Sequence, residues 1–537
     1  MIKRILSNQS KTITGAAVIL GAASFVSRLM GFLRDRIFAH LYGAGDVLDA
    51  YYAAFRIPDL VYNLIVVGAL SAGFIPIFTK LMKKDPEEAL TVTNSVINIL
   101  AVFLIIVCSI MCLFTPQLMR IIVPGFSGEK LDLTIMMTRV MFVSPVLLGI
   151  SGVFSSVLQS FKAFLVYSLT PIVYNIGIIV GAIWFVPLWG PIGLAFGVIF
   201  GALFHLVIQI PALRHYKFSY RRVFLWKNGH VRDIWKLMLP RTLGLATHQI
   251  NLLLMTTIAS TLAAGSLAVF NFASNIQYFP VGIIGYSFAI AAFPTLAMFV
   301  AEEKGAEFVH HLSQAIRQIL FFIVPLTIIL LLLRAQIVRV LFGTGAFGWE
   351  ATILTANTLA FFSLSLFAQC LIPLLARAFY AMHDTWSPFI AAIIGTLINV
   401  IFALLLKNVF GIAGLALSFS ISMFVQVAIL WVTLRVRHIQ SLDEMAILHF
   451  LYKISLAAFA MGIIVQMLKF PIATLVDMDR FWGIATQGLL AGGAGLFVYL
   501  TIGKVFKLKE VEIIESVIRK KIFQTVDVPT DIPADEI

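Results

Sequence analysis

Long apolar stretches, most of them about 20 residues or more, return again and again along this 537-residue sequence. A helix needs about 20 such residues to cross the hydrocarbon core of a bilayer. Inside lipid every backbone N–H and C=O must be satisfied within the protein, so continuous apolar segments of this length cross only as helices. A membrane β-barrel would read as alternating segments of about ten residues. The stretches fall at 13–38, 50–80, 91–114, 133–160, 168–187, 190–213, 235–262, 266–299, 316–334, 352–380, 388–407, 411–435, 449–469 and 482–504. The expectation is an all-α polytopic membrane protein with about fourteen transmembrane helices. Composition agrees: 60% of residues are hydrophobic and 12% charged, against about 45–50% and about 25% in soluble domains. A soluble enzyme, a disordered chain and a nucleic-acid-binding domain are excluded.

The net charge of +13 therefore reads as topology, because cytoplasmic loops collect Lys and Arg. Lys3, Arg4 and Lys11 open the chain. Arg214, Lys217, Arg221, Arg222, Lys227, Arg232 and Lys236 follow the sixth span, and Lys504, Lys507, Lys509, Arg519, Lys520 and Lys521 follow the last. An even number of spans puts all three groups on one side, so both termini are expected in the cytoplasm. The apolar run 13–26 resembles a signal peptide. It continues through Leu29, Met30 and Phe32 without a convincing small-residue cleavage site, so it reads as an uncleaved first span. Cys108, Cys112 and Cys370 lie in apolar segments and make no disulfide framework.

The sequence also repeats itself. Arg28-Leu29-Met30-Gly31 returns as Arg241-Thr242-Leu243-Gly244, and Phe74-Ile75-Pro76 as Phe293-Pro294. Pro116-Gln117-Leu118-Met119-Arg120 returns as Ala335-Gln336-Ile337-Val338-Arg339. Pro171 and Pro388 open equivalent helices. Gly190-Pro191-Ile192-Gly193-Leu194-Ala195 returns as Gly411-Ile412-Ala413-Gly414-Leu415-Ala416, and Leu213-Arg214 as Leu434-Arg435. Six spans per copy is even, so the copies run parallel, related by an axis along the membrane normal. The expected division is a six-helix lobe at 1–220, a second at 221–440, two extra helices within 441–505 and a cytoplasmic tail at 506–537. Transporters built from repeats place the substrate at the repeat interface.

Charge within the membrane is costly and usually functional. Arg28, Arg34, Asp35 and Arg36 stand in the first span and its exit, and Asp49 and Arg56 begin the second. Acidic residues are nearly absent at depth beyond Asp59. A basic face of this kind suits an anionic substrate, since Arg presents a planar fork matched to phosphate. On a straight helix, six residues turn through ~600°, so the Arg28 and Arg34 side chains would point roughly 120° apart. Gly31 between them leaves room for a bend. His205 and His248 read as core histidines. No metal-ligand spacing, nucleophile elbow, phosphate loop or paired catalytic carboxylate appears, so neither an enzyme nor a cofactor is expected.

These residues carry a resemblance. Ser27-Arg28-Leu29-Met30-Gly31-Phe32-Leu33-Arg34-Asp35-Arg36, Gly43-Ala44-Gly45 and the run from Asp49 to Pro58 resemble the opening of the lipid II flippases, the MurJ or MviN family. Gly68-Ala69-Leu70-Ser71-Ala72-Gly73-Phe74-Ile75-Pro76 is similar to the family's next motif. In the second half, the runs from Leu341 to Phe347 and from Leu375 to Thr385 match as well. The resemblance covers nearly the whole chain. It implies the multidrug/oligosaccharidyl-lipid/polysaccharide exporter fold, with two lobes around a central cavity, in the bacterial inner membrane. It implies a substrate, the lipid-linked disaccharide-pentapeptide pyrophosphate of peptidoglycan synthesis, flipped to the outer leaflet by alternating access. Membrane lipids and other cell-wall synthesis proteins would be its further partners.

By the same resemblance Arg28 and Arg34 are cavity arginines and Asp49 is the portal aspartate; Arg56 joins them as a substrate-binding candidate. Helices 13 and 14 would form a groove for the polyprenyl tail. Many relatives carry Arg-Arg in the second helix where this chain has Tyr62-Asn63, a glutamate where it has Val67, and an arginine where it has Asn275. Tyr62, Asn63 and Asn275 are thus candidate cavity-lining positions with less charge. An acid that some relatives carry in the seventh helix aligns with Met255, which removes a ligand from any sodium site there. Two other readings stay open: export of another polyprenyl-linked glycan or a drug, and a non-transporting membrane scaffold in cell-wall assembly.

Overall fold

A computed structural model of the chain describes residues 13–67, 73–437, 443–512 and 515–516. Lys3, Arg4, Lys11, the motif residues 68–72 and the basic tail residues Arg519, Lys520 and Lys521 lie outside the described residues. The elements of the first half are α1 (Ile13–Tyr42), α2 (Asp46–Ala54), α3 (Arg56–Val61), a π-helical turn (Tyr62–Val67), α4 (Ile75–Lys84), α5 (Pro86–Leu113), α6 (Thr115–Ile122), α7 (Gly128–Met141), α8 (Val143–Ser160), α9 (Phe164–Val180), a second π-helical turn (Gly181–Phe185), α10 (Val186–Trp189), α11 (Gly193–Val207) and α12 (Ile210–His215). Then come α13 (Gly229–Ser260), α14 (Ser266–Pro280), a third π-helical turn (Val281–Gly285), α15 (Tyr286–Ala301), α16 (Gly305–Leu332), α17 (Arg334–Phe342), α18 (Trp349–Leu364), α19 (Leu366–Ala381), α20 (Trp386–Phe410), α21 (Ile412–Arg437), α22 (Glu444–Leu475) and α23 (Phe481–Val505).

Among the described residues, nine helical stretches are long and apolar enough to cross a membrane, or ten if the bent pair α18 and α19 makes one span. One of them, Phe164–His215, runs for 52 residues and covers two of the apolar stretches of the sequence. Gly190, at φ 68°, turns the chain back between them. The stretches at 13–38 and 235–262 are helical as well. The one at 50–80 is not a single rod, because it breaks at Phe55 and loosens into the π-helical turn Tyr62–Val67. Local sequence sets the long helices. Asp85 caps α5 through the amide of Glu88 at 3.0 Å, with Pro86 in the first turn, where a missing N–H costs nothing. Asn228 caps α13 through the amides of His230 and Val231.

Backbone irregularities recur in the order of the sequence motifs. The π-helical turn Tyr62–Val67 has a counterpart at Val281–Gly285, and the short α6 after α5 has one in α17 after α16. The break at Phe142 between α7 and α8 returns at Ser365 between α18 and α19. Left-handed Lys162 (φ 59°) is matched by His383 (φ 61°), and Gly190 (φ 68°) by Gly411 (φ 57°).

The chain forms two compact units, Met1–Phe279 with Val338–Phe362 and Trp386–Gln426, and Pro280–Ile337 with Ser363–Thr385 and Val427–Ile537. In the first, α9 and α11 meet backbone to backbone. A Cβ on Gly177 would strike Gly201, and one on Gly181 would strike Gly197. Glycines four apart on facing helices let them close where lipid offers no hydrophobic drive. In the same unit Asn94 and Asn98 of α5 donate to the carbonyls of Ser219, Arg221 and Val223, which holds the basic connection after α12 against α5. In the second unit α22 and α23 pack together and against α16. Tyr499 donates to the Phe321 carbonyl at 2.9 Å, and Gln487 bridges Gln336 and the Lys469 carbonyl.

Candidate functional site

Within the first unit, α1 runs unbroken through Gly31. A Cβ on that glycine would meet nothing within 4 Å. Arg28 and Arg34 nevertheless line one pocket of about 160 Å³, together with Gly31, Asp35 and, from α14, Asn275 and Tyr278. Helical spacing accounts for most of this. Arg28, Gly31 and Asp35 follow one another at three and four residues and share a face. Arg34 reaches that face because Asp35 draws it there. Its Nε and Nη2 both donate to Asp35 Oδ1, at 3.0 and 2.8 Å, while Nη1 donates to Asn175 Oδ1 at 3.2 Å. The other oxygen of Asp35 accepts from Asn275 Nδ2 at 2.7 Å. The Asp35 side chain is 2% exposed and that of Arg34 22%. Arg28 is less committed. It is exposed, and its one hydrogen bond among the described residues goes from Nη1 to the Tyr278 carbonyl at 3.3 Å. A guanidinium carries five N–H donors, so Arg28 presents open donors to the pocket.

Asp49 occupies a different setting. Its carboxylate is buried and accepts three hydrogen bonds: from Lys130 Nζ at 2.7 Å and the amide of Gly265 at 2.8 Å on Oδ2, and from the amide of Ala268 at 2.9 Å on Oδ1. Lys130 also pairs with Asp46 at 2.6 Å and lies over the Phe126 ring. Asp49 thus caps the first turn of α14, where free amides and the helix dipole favour an anion.

Arg56, in the first turn of α3, donates from Nη2 to Asn271 Oδ1 at 3.0 Å, and its Nε is buried without a hydrogen-bond partner. Tyr62 and Asn63 stand on the π-helical turn, a form that often marks functional segments. Asn63 is turned back onto Asp59, donating to both its carbonyl and its carboxylate at 2.9 Å. Of the three less-charged candidates, Asn275 shares the pocket with the two arginines; Tyr62 and Asn63 are not among its lining residues. His205 sits in a polar cluster, its Nδ1 2.6 Å from Ser151 Oγ, with Gln209 bonded to the same serine.

Sequence reasoning missed Asn175 and the role of Asp35 as the counter-ion of Arg34. Asn175 could have been found as an amide inside an apolar span. The pairing could not, since adjacent helical residues do not ordinarily face one another.

Comparisons with known proteins come together on one family. The family model described as lipid II flippase MurJ matches residues 38–485. The probable lipid II flippase MurJ of Buchnera aphidicola is 31% identical over 468 residues, covering 86% of this chain and 90% of that protein. Its counterpart in Thermotoga maritima is 29% identical over 490 residues, covering 91% and 96%. Among solved structures, a lipid II flippase MurJ in an inward closed conformation aligns with a TM-score of 0.75 at 25% identity, covering 91% of this chain and 98% of that one. A multidrug resistance MATE family transporter of the MOP superfamily, inward-facing, aligns at 0.66 with 17% identity over 79% of this chain and 95% of that one, a likeness of fold.

Proposed function

This chain belongs to the lipid II flippase MurJ family of the MOP superfamily, and from that premise we propose how it moves its substrate. It is a multi-pass inner-membrane transporter, not an enzyme, and it flips lipid II. The obstacle is the pyrophosphate, since even on the mildest scales one charge at the bilayer centre costs about 2.5–3.5 kcal/mol. Arg28 makes the first contact, because its donors are open. Arg34 joins as the phosphate competes for it and Asp35 falls back on Asn275. Arg56 offers a further donor through its unpartnered Nε. The headgroup passes from the cytoplasmic to the outer leaflet by alternating access of the two repeats, with the polyprenyl tail left in lipid beside α22 and α23. Both termini are cytoplasmic.

The observation that carries this reading is the single pocket shared by Arg28, Arg34 and Asn275. Depleting the protein in its host and assaying lipid-linked precursors in the cytoplasmic leaflet tests it. Accumulation of lipid II supports the reading. Accumulation of a different polyprenyl-linked glycan, or of no precursor, overturns it.

A further inference from the structure

The second unit holds a basic cavity that the transport reading does not use. It measures about 300 Å³ and is lined by the early turns of α16 and α22 and the chain just past α23. Four basic side chains face it, Arg317, Lys453, Lys507 and Lys509, against one carboxylate, Glu510. None of the four makes an ion pair among the described residues, and Arg317 Nε is buried without a hydrogen-bond partner. The two lysines past α23 are held there by the backbone. Lys507 takes a left-handed φ of 54°, and the Leu508 amide returns to the Gly503 carbonyl at 3.0 Å, the usual way a helix end is closed. Leu508 and Val511 are then buried against the helices. Like charges gathered in this way repel one another until an anion balances them.

Apolar surface begins at the rim. A second cavity of about 350 Å³, walled mainly by apolar side chains of α15 and α16, shares Gln314 and Gln318 with the first. On α22, His449 lines the basic cavity, and from it an exposed stripe continues through Tyr452, Leu456, Phe459 and Ile463 at helical spacing. Cations beside apolar surface select an amphiphile. We propose that this cavity binds the phosphate of an anionic phospholipid, with the acyl chains lying on the adjoining apolar surface. Arg317 supplies the planar fork and the lysines point charges. A zwitterionic headgroup is disfavoured, because its ammonium would join four cations.

Lipid binding is measured without lipid II, so it stands or falls apart from the transport reading. The full-length protein in detergent is titrated with phosphatidylglycerol, phosphatidylcholine or inorganic phosphate, and bound molecules are counted by native mass spectrometry. Phosphatidylglycerol is expected to bind about tenfold or more tightly than phosphatidylcholine, and inorganic phosphate to compete only in large excess. Lys507→Gln/Lys509→Gln, two exposed positions that leave the packing alone, should weaken phosphatidylglycerol binding by about tenfold. Arg317→Gln should weaken it further, and Lys227→Gln should leave it unchanged. Unaltered binding in the double variant overturns the proposal, as does equal affinity for phosphatidylcholine. Equal competition by inorganic phosphate would make it a free-phosphate site. Binding that emerges only after removal of residues 522–537, which carry Asp527, Asp531, Asp535 and Glu536, would assign the cavity to the chain's own acidic end.

Discussion

Asp49 and Lys130 lie 2.7 Å apart, and the same carboxylate takes the amides of Gly265 and Ala268 at the start of α14. The contact is one of several that bind the first repeat to the second inside one compact unit. Gly265, at φ 83°, has no room for a side chain because a Cβ would strike the Ala44 carbonyl. The Ala346 amide donates to the His40 carbonyl at 3.0 Å, and Arg36 donates to the carbonyls of Val340 and Leu341. Asp49 is therefore placed to fasten the two halves of the sequence together within this unit.

Replacing Asp49 by Asn removes the charge but keeps one acceptor. The expected loss is about 1.5–3 kcal/mol, the range for a hydrogen bond to a charged group, read as a lower melting temperature of the purified protein. Adding Lys130→Met should recover part of that loss, because the lysine is then no longer left with Asp46 alone. A substrate ligand would behave differently: Asp49→Asn would cut transport and leave melting untouched.

Gly31 lines the arginine pocket with open space at its Cβ position. Gly31→Ala should be tolerated, and Gly31→Leu should project into the space that a pyrophosphate needs. Transport per molecule should then fall by roughly ten- to a hundredfold, the scale of a misplaced reacting group, with no change in melting temperature. Equal activity of Gly31→Leu and the wild type would place the substrate elsewhere.

Much of the fold was legible because hydropathy and capping are local. Asp85-Pro86-Glu87-Glu88 announces α5, and the Gly190-Pro191 turn announces the hairpin after α9. The repeat was legible too, since motifs such as Gly190–Ala195 and Gly411–Ala416 encode the same left-handed turn. The site was only partly so. Arg28 and Arg34 stand out as charges in an apolar run, yet rotation on an ideal helix places them apart. The Asp35 bond that brings Arg34 onto the face of Arg28 depends on a buried carboxylate and on Asn275, some 240 residues away in sequence. The amide partners of Asp49 are backbone groups 216 and 219 residues distant, and no side-chain pattern marks a backbone donor.

Orientation can be tested by single cysteines in a background with Cys108, Cys112 and Cys370 replaced by Ala. Lys227 and Ser127 are both exposed. If basic loops stay inside, Lys227→Cys should react with a membrane-impermeant maleimide only after the cells are opened, and Ser127→Cys in intact cells. Labelling of Lys227→Cys from outside would overturn the cytoplasmic assignment of the termini.

The two arginines should part company on mutation. Arg28 holds one weak backbone contact, so Arg28→Ala should leave melting unchanged while removing a charge-assisted contact worth about 1.5–3 kcal/mol, or roughly ten- to a hundredfold in substrate binding. Arg28→Lys should rescue only in part, because a point charge does not reproduce the two-pronged fork. Arg34→Ala strips Asp35, 2% exposed, of its counter-ion. Breaking a buried pair costs about 3–5 kcal/mol, and the partial exposure of Arg34 puts the cost at the lower end. Abundance and melting temperature should fall together with transport. Arg34→Ala/Asp35→Asn should then restore melting, because no unpaired charge is left behind, but should not restore transport. Lipid II flipping in proteoliposomes, normalised to protein content and set beside the melting curves, separates these outcomes. A double variant that regains both melting and transport would show Arg34 to be purely structural, and full activity of Arg28→Ala would remove pyrophosphate recognition from this pocket.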